Sequence, residues 1–411
     1  MNRLVVLAVL IGILGLIVYW GFPPASPARS DAQARDPIAS SLVSSGTTFA
    51  SSQRVLARTS DGTLYLTYLE PVEGHDQVFV ARSTDNGRSW SDATRVSTGA
   101  TNATDRHLMV DHHDRLRLFW TQYASPDNGD GSDGEPVRQI FWSTFDGSGW
   151  TRPEQLTHGE YNGVPSATVD SQGRIHLVWY GFDGEYYQIV YSRWADGEWS
   201  EPRTISDGYP DSVNPAIAVD SRDNLHVAWY KFTHASKTYQ VFYRPYDASQ
   251  HEWLGQRMLS DDLFTATNVS LAVRPDDGVV VVYEGLPRPN ESALYARVYK
   301  DGRWRSQTEI VAPDVDAGRP SVAVDQRGRI YAFYRQGADQ GIHMVRTEGD
   351  GTWGEDRVIY RAGRNDYPNV RWSSTGRAIS EVLEVVWTEI DARPDDAEAS
   401  NLIHFRRIPL P

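Results

Sequence analysis

From residue 38 onward the chain repeats one pattern: a turn rich in Asp, Gly and Asn, then a short run of apolar and aromatic residues. It reads DGTLYLTY at Asp61–Tyr68, DRLRLFW at Asp114–Trp120, GRIHLVW at Gly173–Trp179 and DNLHVAW at Asp223–Trp229. It continues as GVVVVY at Gly278–Tyr283, GRIYAFY at Gly328–Tyr334 and EVLEVVW at Glu381–Trp387. A second, alternating run follows most copies, as in QVFVAR (Gln77–Arg82), QIFWS (Gln139–Ser143), QIVYSR (Gln188–Arg193) and QVFYR (Gln240–Arg244). A glycine-containing turn then closes on Trp90, Trp150, Trp199, Trp253, Trp304 or Trp353. β-Branched and aromatic residues bounded by turn formers predict strands.

Seven copies over residues 38–411, about 53 residues each, predict an all-β, seven-bladed β-propeller with four strands per blade. The seventh copy stops after its third strand, IHFRR at Ile403–Arg407. Ser41-Leu42-Val43-Ser44 resembles the fourth-strand endings TRVS (Thr94–Ser97) and RTIS (Arg203–Ser206), so it is expected to complete that blade. Such closure pairs an edge that would otherwise be open.

Residues 1–22 break the pattern. Leu4 to Phe22 is an uncharged run of nineteen residues, close to the roughly 20 needed to cross a bilayer and longer than a signal-peptide core of about 7–15. An uncleaved transmembrane helix acting as a signal anchor is therefore expected to precede the propeller. Arg3 keeps the amino terminus inside, and Tyr19 and Trp20 lie at the outer interface. Residues 23–37, rich in Pro, Ala and Ser, form a linker. This places residues 38–411 outside the cytoplasm, at the cell surface or in the periplasm.

Charge and composition narrow the partners. Forty Lys and Arg against 54 Asp and Glu give a net charge of −14, which argues against nucleic acid as a partner. The absence of cysteine removes disulfides, thiolate metal sites and cysteine nucleophiles. Asp111-His112-His113-Asp114 occupies the slot of Asp170–Gly173, Asp220–Asp223 and Asp325–Gly328, and so reads as a tight turn rather than a metal site. The acidic stretch Asp127–Asp133 lacks the spacing of a calcium loop and reads as a solvated loop. No cofactor is expected.

The turn Ser83-Thr84-Asp85-Asn86-Gly87-Arg88-Ser89-Trp90 has the form S-x-D-x-G-x-[ST]-W and resembles the Asp-box (BNR repeat) of the sialidase superfamily. STFDGSGW at Ser143–Trp150 and SRWADGEW at Ser192–Trp199 keep parts of it. The resemblance implies a sialidase-like propeller whose boxes lie opposite the active face. In that family, activity implies an arginine triad, an aspartate acid/base and a tyrosine–glutamate nucleophile pair. The chain departs from the pattern: seven repeats stand where the family has six blades, and the only string like the family's [FY]-R-[IL]-P, Phe405–Pro409, is at the wrong end. Sialidase activity is therefore not expected.

In a four-stranded blade, the loops from strand two to three and from strand four to the next blade share one face, where a binding mouth is expected. Counting back five positions from each first-strand end gives Gln53, Asp105, Val164, Asn214, Asn268, Arg319 and Tyr367. The second strands end at Glu70, Gln122, Gly181, Lys231, Glu284, Arg335 and Glu389. With Arg106 and His107 beside Asp105, the candidate ligand residues are Asp105, Arg106, His107, Asn214, Asn268, Glu284, Arg319, Arg335, Arg364 and Tyr367. The arginines suit a carboxylate or sulfate. Tyr161, Tyr180, Tyr209, Tyr230, Tyr283 and Tyr367 suit sugar faces. Glu70 and Glu389 are candidates for paired glycosidase carboxylates, and Tyr367 or His107 for a lyase base. The loops Ala124–Arg138 and Asp391–Asn401 are expected to cover the mouth.

The expected function is recognition of a glycan or cell-surface polymer by a membrane-anchored propeller. Two alternatives stay open: a glycoside hydrolase or polysaccharide lyase acting on an acidic glycan, and a structural subunit with an envelope protein partner. Arg319, Arg335, Arg364 and a carboxylate within hydrogen-bond reach of one another would favour the enzyme, and arginines scattered around the rim would favour the binding or structural role.

Overall fold

The structure, a computed structural model, describes residues 54–124, 135–349, 351–371, 379, 382–390 and 401–411. The anchor, the linker, the closing strand at 41–44, Gln53, the acidic stretch at 127–133 and the cover at 391–400 lie outside the described residues. Among the described residues, no helix is long and apolar enough to cross a membrane.

Seven antiparallel sheets succeed one another along the chain, forming an all-β, seven-bladed propeller. Their inner strands are Leu56–Arg58, Ala103–Val110, Asn162–Val169, Ser212–Val219, Thr265–Val273, Ala317–Val324 and Arg364–Val370. Each apolar motif forms a second strand, from Leu64–Val72 in blade one to Val382–Ile390 in blade seven. The third strands carry the glutamine-led runs, and the fourth strands are short. In four blades a third-strand glutamine ties the fourth strand down. The hydroxyls of Ser97, Thr157, Ser206 and Ser260 donate to the Oε1 atoms of Gln77, Gln139, Gln188 and Gln240 at 2.8, 2.8, 2.7 and 2.6 Å.

The turns between first and second strands are built by their leading aspartates. Asp111 Oδ1 accepts from the amides of His113 and Arg115 at 2.9 and 3.1 Å, and Asp170 and Asp325 repeat the arrangement. Neighbouring blades are stitched by the same turns, as where Ser171 donates through both amide and hydroxyl to Asp223. Among the described residues no cluster of His, Asp or Glu is placed to hold a metal ion.

Blade seven packs on blade one. Val386 and Ile403 join Leu56, Leu64, Leu66 and Tyr68 in one core cluster, and Phe405 meets Trp90 edge-on with centroids 5.5 Å apart. Trp90 ends the turn in which Asp85 Oδ1 accepts from the amides of Arg88 and Ser89, each at 2.9 Å. Arg54 crosses the interior from the edge of blade one. Its guanidinium donates to Ser270 Oγ in blade five at 3.3 Å, to Ser321 Oγ in blade six at 2.9 Å and to the Val370 carbonyl in blade seven at 3.5 Å. Burial pulls its pKa down to about 10, so the group stays charged at neutral pH.

Candidate functional site

Six inner strands carry the same irregularity. Asp105, Val164, Asn214, Asn268, Arg319 and Tyr367 have φ between 48° and 58°, and the register to the second strand shifts at each of them. Two residues there oppose one, which is a β-bulge. The residue opposite is the aromatic that closes the second-strand motif: Trp120, Trp179, Trp229, Tyr283, Tyr334 or Trp387, each buried. Proline follows the bulge residue at Pro165, Pro215, Pro320 and Pro368; lacking an N–H, it loses nothing where the ladder is interrupted. Left-handed backbone at non-glycine residues costs on the order of 1–2 kcal/mol each, and a side chain there is re-aimed relative to its neighbours. Five of the six positions bear polar or amphipathic side chains.

Blades five to seven bring several of them together. Glu284, at the mouth end of its second strand, accepts from Asn268 Nδ2 at 2.8 Å and from the Arg319 amide at 3.1 Å. The Arg319 guanidinium donates to Asn268 Oδ1 at 3.3 Å and lies over the Tyr367 ring, 5.4 Å from its centroid. Arg335 pairs with Asp316 at 3.4 Å and reaches Asp366 at 4.0 Å. Asp366 and Tyr367 feel Arg319, Arg335 and Arg364 together. Burial pushes the Asp366 carboxyl up, against the pull of the Tyr367 amide and the three arginines. Burial likewise raises the Tyr367 phenol, helped by Asp366 and opposed by Arg319 and Arg364. Arg335 thus reaches the Asp366 carboxyl and Arg319 the Tyr367 ring, while Arg364 acts on both through its charge. Arg364 is exposed, Arg319 and Arg335 half-buried.

A second cluster lies between blades two and three. Arg138 pairs with Asp105 at 2.6 Å, donates to the Tyr161 hydroxyl at 2.7 Å and also meets Thr104 Oγ1. Tyr161 and Tyr180 hold their hydroxyls 3.0 Å apart. Burial pulls the Arg138 pKa down, but Asp105 and the neighbouring phenols outweigh it, so the cation is held firmly. Burial raises both phenols. Between the clusters, Asn214 bonds to the Tyr230 hydroxyl.

Arg106 and His107, expected at the mouth, lie in the interior instead, each 1% exposed. His107 faces the amides of Arg54 and Ala167, each at 3.3 Å, and burial with the nearby Arg54 charge drives its pKa down to about 3. A neutral, enclosed imidazole of this kind ties blades together rather than serving as a base. Glu389 is engaged by His404 at 2.7 Å and Tyr360 at 3.1 Å, and no contact among the described residues joins it to Glu70. Three participants were missed in the sequence: Arg138, Asp316 and Asp366. Asp366 could have been found as the residue before a bulge marked by Tyr367-Pro368. Arg138 carried no local signal.

No protein-family model matches the chain, and no curated protein sequence matches it. Solved structures do. An ulvan lyase of polysaccharide lyase family PL25, bound to -[GlcA(1-4)Rha3S]-, aligns with a TM-score of 0.65 at 12% identity, over 90% of this chain and 94% of its own. The polysaccharide lyase Uly1 aligns at 0.54 and 9% identity, over 86% and 89%. A point mutant of the NanB sialidase from Streptococcus pneumoniae aligns at 0.51 and 12% identity, over 73% and 67%. At such identities the likeness is one of fold: the chain has a β-propeller like those of these lyases and this sialidase.

Proposed function

We propose that this propeller binds an acidic glycan at the mouth of blades five to seven, the sugar carboxylate being held by Arg319 and Arg364. The observation that carries the reading is the half-buried Arg319 guanidinium, which lies over the Tyr367 ring and donates to Asn268 at 3.3 Å, beside Arg335 at 4.0 Å from Asp366. Guanidinium groups match a carboxylate with two parallel donors, and a half-buried setting strengthens each bond. In this reading residues 1–22 anchor the propeller on the outer side of a membrane, and the turn Ser83–Trp90 is an Asp-box serving blade packing. Titration of the full-length chain with uronate, sialoside and sulfated oligosaccharides tests it. Arg319→Ala is expected to weaken a uronate ligand roughly 10- to 100-fold, the loss of a charge-assisted pair. Unchanged affinity in that variant, or no binding by any acidic glycan, would refute the reading.

Cleavage of the bound chain by β-elimination is a second reading, favoured by Tyr367. Its ring lies under Arg319, and the neighbouring Asp366 carboxyl is pushed toward its protonated form. Elimination moves the C5 proton of a uronate to a base, breaks the C4–O4 bond and returns a proton to the leaving oxygen. In this reading the Asp366 carboxylate, made more basic by burial, takes the C5 proton, and the Tyr367 phenol, kept protonated by its raised pKa, returns one to the leaving oxygen. Under this reading Tyr367→Phe abolishes release of the unsaturated, ultraviolet-absorbing product while affinity stays within about twofold.

A further inference from the structure

Tyr209 stands in the loop entering blade four, 55% exposed. Its ring lies parallel to that of His234, centroids 4.4 Å apart and planes 15° apart, and Tyr186 meets it at 4.8 Å and 77°. Phe232 supports His234 edge-on at 5.9 Å. The three loops that carry Tyr186, Tyr209 and His234 all emerge on the mouth face. From Phe232 the ring contacts continue to Tyr239 at 5.7 Å and on to Tyr230 at 5.4 Å. Tyr230 in turn lies within electrostatic reach of Arg319 and Glu284. A run of aromatic rings therefore extends from the exposed shelf as far as Tyr230, whose hydroxyl meets Asn214.

Tyr209 belongs to no core cluster, and it is held by the rings of Tyr186 and His234, the latter with Nδ1 3.5 Å from its hydroxyl. Two carboxylates flank it in the chain, Asp207 and Asp211. Asp207 is well exposed and holds Lys231 at 2.6 Å, and Asp211 accepts the Tyr187 amide at 2.8 Å with acceptor capacity to spare. Carboxylate oxygens of this kind accept hydroxyl donors.

We propose that this shelf is a second sugar subsite, taking the C–H face of an uncharged pyranose on the Tyr209–His234 stack while its hydroxyls donate to Asp207 and Asp211. The inference rests on the acidic-glycan reading and sharpens it: the ligand is a copolymer in which uncharged units accompany uronates, long enough to reach from Arg319 to Tyr209. A rigid, amphipathic aromatic is suited to this work because little side-chain entropy is lost on binding.

The test is calorimetric titration of the full-length chain with glucuronate–rhamnose oligosaccharides, as disaccharide and hexasaccharide, and with the carboxyl-reduced hexasaccharide. Tyr209→Ala is expected to weaken the hexasaccharide about tenfold, or about 1.4 kcal/mol, leaving the disaccharide unchanged. Tyr209→Phe should keep the wild-type affinity, and His234→Ala should reproduce the loss without altering position 209. Arg319→Ala should weaken both lengths. If Tyr209→Ala and His234→Ala bind the hexasaccharide as wild type while Arg319→Ala does not, the subsite is refuted and the arginine reading stands. If Arg319→Ala binds normally but Tyr209→Ala loses the carboxyl-reduced hexasaccharide, the shelf stands and the arginine reading falls. Absence of binding by any of the three ligands overturns both.

Discussion

Replacing Glu384 by glutamine is expected to destabilise the propeller by about 2–4 kcal/mol through the seam between blades seven and one. Its side chain is 1% exposed and faces three guanidinium groups. Arg58 of blade one grips both carboxylate oxygens, its Nε lying 3.2 Å from Oε2. Arg371 pairs with Oε2, and Arg407 approaches Oε1 at 3.4 Å. Glutamine keeps the volume but removes the one negative charge these cations share. Removing one partner of a buried pair costs about 3–5 kcal/mol. The arginine side chains keep 17–34% exposure, so water screens part of their repulsion and lowers the figure to about 2–4 kcal/mol. Arg58→Leu should cost only about 1 kcal/mol, because Glu384 retains two cations. The double variant should therefore be less destabilised than the sum of the two single ones. Urea unfolding of the full-length chain, followed by tryptophan fluorescence, measures all three. A Glu384→Gln change below about 0.5 kcal/mol would refute the reasoning. The seam would then be held by the apolar contact of Val386 and Ile403 with Leu56, Leu64 and Tyr68.

Two further outcomes follow from the geometry. His343 sits between Asp356 at 2.7 Å and Asp339 at 3.0 Å, with the Tyr334 hydroxyl also on Asp356 and Arg361 on Asp339. Burial lowers its pKa but the two carboxylates more than offset this, so the folded value lies above the unfolded one of about 6.5. Its stabilising contribution is complete below about pH 6.5 and lost as pH rises through the folded value. The melting temperature of the wild type should fall over that window relative to His343→Gln, and parallel profiles would contradict the assignment. Gly318→Ala would bring a Cβ within 2.8 Å of Glu284 Oε2 and 3.4 Å of Arg335 Nη2. It should pull Glu284 off Asn268 and the Arg319 amide and weaken an acidic ligand by about 5- to 10-fold at nearly unchanged melting temperature, as binding and thermal scans would show.

The repeats made the architecture readable. Period-two alternation and turn chemistry are local, so each motif from Asp61–Tyr68 to Glu381–Trp387 marked a second strand, and each Asp-led slot marked a turn. Counting back from strand ends lands on Asp105, Asn214, Asn268, Arg319 and Tyr367 because six of the blades insert a bulge at the same place. The neighbours of a bulge were less legible. Arg106 and His107 follow Asp105 directly yet are both buried, because this inner strand is covered on both faces by the neighbouring blades.

The sequence by itself determined the seven-fold repeat, the strand order within each blade, the turns and the positions able to carry polar groups, because these depend on residues a few places apart. Only the tertiary structure decided which charges meet. Arg335 finds Asp366, and Arg58 finds Glu384 across 326 residues of chain. Those pairings depend on how one blade is rotated against the next, and that rotation is set by side-chain packing across the whole ring, a quantity no local pattern contains.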